Sequence, residues 1–200
     1  MKSIDTIKRF QQPGMVECGP AAVCAAISLY PDWMPKFSVG SITTAAGVTE
    51  TIQNRGTTVA ELAKGVEVLS DRQLKLLYKV SGTIDDIRAL VDQGVPVVVD
   101  WQGSTLEGSD GNKGHYSLVI GVDDQTLRMV DSLPDFPGVR TVSVDSFEKL
   151  WWDTDSVFDK SGTERIVSTN HLLFIIVPTS KSKDVILQFA LSSGNTYPGS

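Results

Sequence analysis

Apolar and small residues occupy almost every position from Cys18 to Tyr30 (CGPAAVCAAISLY), the pattern of a helix buried on all sides. Pro20 fits its first turn, where a missing N–H is harmless, and Pro31 ends it. Residues Ser38 to Arg55 show no clear period and receive no assignment. Thr58 with Glu61 forms a capping-box pattern that opens a helix through Val68. Leu74 to Val80 reads as a strand, and Ser81 to Gly94 as a helix that starts at Thr83, carries acids in its first turn and closes on glycine. The second half turns to β-structure. Val95 to Trp101 is an apolar strand, followed by a Gly/Ser/Asp-rich loop over Gln102 to Gly114. His115 to Val122, Thr126 to Asp131 and Arg140 to Val144 read as an antiparallel meander. A short helix, SFEKLWW, is capped by Asp145 or Ser146, and His171 to Val177 supplies a last strand. Helices first and an antiparallel sheet second predict an α+β fold in one domain over residues 1–180. The tail, residues 181–200, is predicted to be partly flexible and to fray at SSGNTYPGS.

Composition narrows the partners. The 200 residues are 41% hydrophobic and 21% charged, with a net charge of −6 and a pI near 4.9. Such a surface has no basic stripe for phosphates, so nucleic acid is an unsuitable partner and a basic peptide or protein substrate a better one. The N-terminus lacks an apolar signal core, and nowhere do eighteen uncharged apolar residues run together, so neither a secretory signal nor a membrane span is predicted. That places the chain in the cytoplasm, or on an export route without a cleavable signal. Cys18 and Cys24 are the two cysteines. On one helix they point to different faces with about 9 Å of rise between them, so they are not expected to pair. Two cysteines and two distant histidines do not space a zinc site, and no cofactor is expected.

The chemistry concentrates around Cys18. A thiol attacks as thiolate, which a helix N-terminus and a nearby imidazole both favour. Cys18 sits where its helix begins, with Gly19 leaving room for a substrate backbone. Gln12, six residues earlier, can fold back as an oxyanion donor beside the Cys18 N–H; Gln11 is its rival. His115 starts one strand and Asp131 ends the next, positions that lie side by side across a tight antiparallel turn, so the carboxylate can orient the ring. His171 is the competing base, and Asp123 or Asp124 could replace Asp131. Cys24, Trp151 and Trp152 read as packing residues and Glu17 as a solvated charge, with recognition of a basic substrate group its alternative role.

The stretch QPGMVECGPAAVCAAI resembles the nucleophile segment of the double-glycine leader peptidases that process bacteriocins, papain-like enzymes with a glutamine six residues before a Cys-Gly pair. GHYSLVIGVDD resembles their Gly-His strand, and MVDS with VDSFEKLWW their Asp strand and following helix. Glu17 stands where that family commonly has Asp, and Ser132 where it has proline. The resemblance implies a two-lobed papain-like fold, a stand-alone form without the transporter, and Cys18, His115, Asp131 and Gln12 as nucleophile, base, orienting acid and oxyanion donor. It implies hydrolysis of peptide bonds through a thioester. Glutamine deamidation or acyl transfer on the same core, as in an effector, and a silent binding module are the alternatives.

Overall fold

In the computed structural model, residues 4–103, 114–136, 138–158 and 163–198 are described. Helix α1 (Cys18–Ile27) buries all ten of its residues, as its uninterrupted apolar sequence requires. Helix α2 (Val39–Ala46) and the single turn α3 (Ile52–Arg55) fill the stretch that has no sequence periodicity. The Ser38 and Ser41 side chains form a reciprocal capping box at α2, and Gly47 closes the helix at a φ of 80°. Helix α4 (Val59–Leu69) begins on the predicted Thr58/Glu61 box, and α5 (Ile84–Asp92) on a similar box between Thr83 and Asp86.

Seven strands form one antiparallel sheet in the order β5-β4-β3-β2-β8-β1-β9. They are β1 (Leu74–Lys79), β2 (Val97–Trp101), β3 (His115–Val122), β4 (Thr126–Val130), β5 (Val139–Ser143), β8 (Leu173–Pro178) and the short β9 (Ser192–Ser193). The meander β3-β4-β5 is as predicted, with a bulge between Val119 and Gly121. Alternation divides the sheet between two cores. Val98, Leu118, Phe174 and Ile176 pack against α1, α2 and α4, whereas Val97, Val99, Val119 and Ile175 pack against α5, α6 (Val144–Leu150) and α7 (Thr179–Phe189).

Two regions depart from expectation. A separate hairpin, β6 (Trp152–Phe158) with β7 (Glu164–Asn170), occupies a segment that carries no strand pattern. In the C-terminal stretch predicted to fray, residues 192–198 are described and held: β9 pairs with β1, and Tyr197 is buried, edge-on to Tyr78. An aromatic ring with a place in the core outweighs the polar composition around it. No helix among the described residues is long and apolar enough to cross a membrane.

Candidate active site

Cys18 is the first residue of α1, so the free N–H groups of the first turn surround its backbone. The approach is fixed by Glu17, which is buried rather than solvated. Its carboxylate accepts from Gly14 N at 3.0 Å, Val16 N at 3.3 Å and Gln53 Nε2 at 2.9 Å. Gly19 is required by closeness: a Cβ there would stand 2.3 Å from Thr57 Oγ1. Cys24, one and a half turns on, is fully buried, and burial pushes its thiol up to about 12.

His115 opens β3 opposite Trp101, and the residue is 2% exposed. His115 Nε2 lies 3.1 Å from Asp131 Oδ1. With Nε2 engaged by Asp131, Nδ1 is the ring nitrogen left over, and the Cys18 side chain interacts with the same ring. Burial works against a charged imidazole, but the Asp131 hydrogen bond and the Cys18 side chain outweigh it, and with the charges of both raise the ring pKa to about 9. Asp131 has no exposed surface and also accepts from Ser117 Oγ at 3.2 Å, Arg140 Nη1 at 2.7 Å and Leu133 N at 2.9 Å. Burial favours its neutral form; the His115 hydrogen bond and charge, the Leu133 N–H and Arg140 prevail and hold it far below the usual carboxylate range.

Of the two glutamines, Gln11 is exposed and Gln12 is buried at 1% exposure. Gln12 Nε2 donates to Gly14 O at 2.7 Å, its Oε1 accepts from Ser132 Oγ at 2.7 Å, and its backbone N–H donates to Ser132 O at 3.0 Å. Ser132 therefore supplies a side-chain anchor that proline could not. Arg9 fastens the same arm, donating from Nε to Asp131 O at 2.8 Å and from Nη2 to Leu133 O and Phe136 O. His115 is thus hydrogen-bonded to Asp131, Cys18 acts on the His115 ring, and Gln12 lies on the segment that leads into Cys18. The rivals lie elsewhere. His171 Nδ1 contacts Gly82 O at 3.1 Å and its ring stacks on Trp151 at 4.6 Å, while Asp123 caps the β3–β4 turn through Gln125 N and Thr126 N.

Arg9, Ser117, Ser132 and Arg140 were not legible as site residues. Arg140 opens a strand and reads as an edge charge, yet it is 4% exposed, packed between Phe136 and Trp101. Only the β4–β5 register, which pairs it with Met129 one strand from His115, reveals its place. A cleft of about 280 Å³ opens at Cys18, between the first turn of α1 and β6. Among the described residues, no group of three or more His, Cys, Asp or Glu side chains is arranged to hold a metal ion.

The fold has solved counterparts. The peptidase domain of Streptococcus ComA, a bifunctional ABC transporter involved in a quorum-sensing pathway, superposes with a TM-score of 0.58 at 17% identity, covering 86% of this chain and 99% of that one. A putative C39-like peptidase from Bacillus anthracis gives 0.60 at 12% identity, over 86% and 96% of the two chains. A double glycine motif protease from an AMS/PCAT transporter, in complex with its leader peptide, gives 0.53 at 14% identity, over 87% and 93%. A comparison with curated proteins finds no match. At these identities the structures speak for the papain-like fold alone. The sequence itself goes further, because the model of the Peptidase_C39 like family matches residues 4–157, from the arm that carries Gln12 to the hairpin strand β6. That match spans most of the chain and supports a cysteine peptidase function, so the protein belongs to the Peptidase_C39 like family.

Proposed function

We propose that this protein hydrolyses peptide bonds through a thioester on Cys18, with His115 as general acid and base, Asp131 as the group that orients His115, and Gln12 as an oxyanion donor. One observation carries the reading: the buried His115 imidazole is hydrogen-bonded to the Asp131 carboxylate at 3.1 Å, and the Cys18 side chain acts on the same ring to help raise its pKa. In the first half-reaction Cys18 Sγ adds to the substrate carbonyl carbon, its proton having passed to His115. The carbonyl oxygen takes up charge facing the Cys18 N–H and the second Nε2 hydrogen of Gln12. The C–N bond then breaks as His115 returns the proton to the leaving amine. Water next adds to the thioester with its proton on His115, the C–S bond breaks, and the acid leaves with the thiol restored. Asp131 stays ionised throughout, consistent with a pKa held far below neutrality.

Iodoacetamide labelling followed by peptide mass spectrometry tests the nucleophile. The expected result is alkylation of Cys18 well before the buried Cys24, slowed at least tenfold in His115→Ala, together with a loss of peptide hydrolysis of at least about 10³-fold in Cys18→Ala. Equal labelling of the two thiols, or hydrolysis retained in Cys18→Ala, would overturn the assignment.

A further inference from the structure

The cleft at Cys18 holds more acid than the proposed hydrolysis uses. Asp100 from β2 and Asp153 and Asp155 from β6 all line it, and each is more than nine-tenths buried. Their hydrogen-bond donors include neutral groups: Thr169 Oγ1 to Asp100 at 3.4 Å, Gln102 Nε2 to Asp153 at 3.0 Å, and the Tyr197 hydroxyl to Asp155. Arg55 is the cation among the described lining residues; it is hydrogen-bonded to Glu61 at 2.5 Å, and its charge also acts on Asp155. Burial above all, then the charges of Asp153 and Asp155, push the Asp100 carboxyl well above the usual range, and burial takes Asp155 to about 6.

A second feature points to an occupant. Thr57 Oγ1 and the Tyr116 hydroxyl belong to residues that line this cleft and are 6% and 5% exposed, and neither atom has a hydrogen-bond partner among the described residues. The Tyr116 hydroxyl stands among the acids, whose charges add to burial in raising its pKa. Buried hydroxyls are seldom left unpartnered, because each then forfeits the hydrogen bonds it would make in water. The volume, about 280 Å³, lies below the roughly 300–1,000 Å³ of pockets for drug-sized ligands and suits one long side chain.

We propose that this cleft is a specificity subsite for the cationic end of a lysine or arginine side chain, carried by the substrate residue whose carbonyl Cys18 attacks. Asp100, Asp153 and Asp155 neutralise the cation, and Thr57 and Tyr116 present hydroxyl oxygens as acceptors for its N–H groups. The proposal rests on Cys18 being the nucleophile, and its test separates the two ideas. N-acetylated dipeptidyl acyloxymethyl ketones with lysine, arginine, norleucine, glycine or glutamate next to the ketone alkylate a reactive thiol: the C–S bond forms as the C–O bond breaks and the carboxylate departs. With the amino terminus acetylated, the side chain is the only cation in each probe. Second-order labelling rates at Cys18 are expected to be at least tenfold higher for lysine and arginine than for norleucine or glycine, and lowest for glutamate. The lysine-to-norleucine ratio should fall at least fivefold in Asp155→Asn and in Asp153→Asn, two separate variants so that one failing to fold leaves the other. A wild-type ratio near or below one overturns the subsite without any variant, as does a ratio retained in a folded variant. Cys18 inert to every probe and to iodoacetamide would instead overturn the nucleophile assignment, and the subsite with it.

Discussion

Burial alone would drive the proton off His115; the Asp131 carboxylate and the Cys18 side chain outweigh it, and the ring pKa rises from 6.5 to about 9. The pH dependence of stability follows in sign. A group whose pKa is raised on folding contributes its full stabilisation below the unfolded value and loses it as pH climbs through the folded one. The window here runs from about 6.5 to about 9, and the difference corresponds to about 3 kcal/mol. The low pKa of Asp131 is the other end of the same interaction, so the pair counts once. Urea unfolding followed across that window should therefore show wild-type stability falling more than that of Asp131→Asn, by up to about 3 kcal/mol; parallel curves would remove the ion pair from the account. The residues of this pair were readable in sequence because each sits at the end of a strand with clear alternation. Arg140 and Ser132, which hold Asp131 and Gln12, were not, since a lone arginine opening a strand or a serine after an aspartate is indistinguishable from a surface residue until the register is known.

At the level of elements, helices with a strong box and strands with a strong period were legible, and those lacking such signals were not. Helix α2 is capped by two serines and built largely from small residues, so neither the Glu/Gln signature nor a wide apolar face marks it. The hairpin strand β6 turns Asp153 and Asp155 inward, the reverse of the rule that reads buried faces as apolar, while most of β7 is exposed. The physical reason that hides the hairpin also gives it its place, with its acids facing the cleft. The C-terminal stretch is tied to this hairpin through Tyr197, whose hydroxyl donates to Asp155 and whose ring packs edge-on against Tyr78. Removal of that ring in Tyr197→Ala should destabilise the protein by about 3–5 kcal/mol, as for other large buried aromatics. Tyr197→Phe, which keeps the ring and loses one hydrogen bond, should remain within about 1–2 kcal/mol of wild type in the same urea titration. A Tyr197→Ala protein as stable as wild type would mean that the tail is not anchored.

Across the whole molecule the sheet is the shared wall of two cores. Strands β1, β2, β3 and β8 send alternate side chains to α1 and α4 on one face and to α5 and α7 on the other, so neither core can open without exposing the back of its neighbour. The site depends on the same continuity. Cys18 heads a helix lying across β3, β2 and β8, His115 opens β3 and Asp131 directly follows β4, and Arg9 and Gln12 bind the arm before α1 to the loop after β4. The two lobes expected of a papain-like cleft are therefore joined through strands common to both and through an arm that crosses between them. The thermodynamic consequence is a single cooperative transition. Leu62→Ala on α4 and Leu90→Ala on α5 each empty a fully buried site in a different core and should lower stability by about 2–5 kcal/mol. Both should displace one common curve, with near-ultraviolet and far-ultraviolet circular dichroism coinciding in wild type and in each variant. If Leu62→Ala shifted only an early phase and Leu90→Ala only a late one, the cores would be separable, and geometry at Cys18 could be lost while the sheet survived.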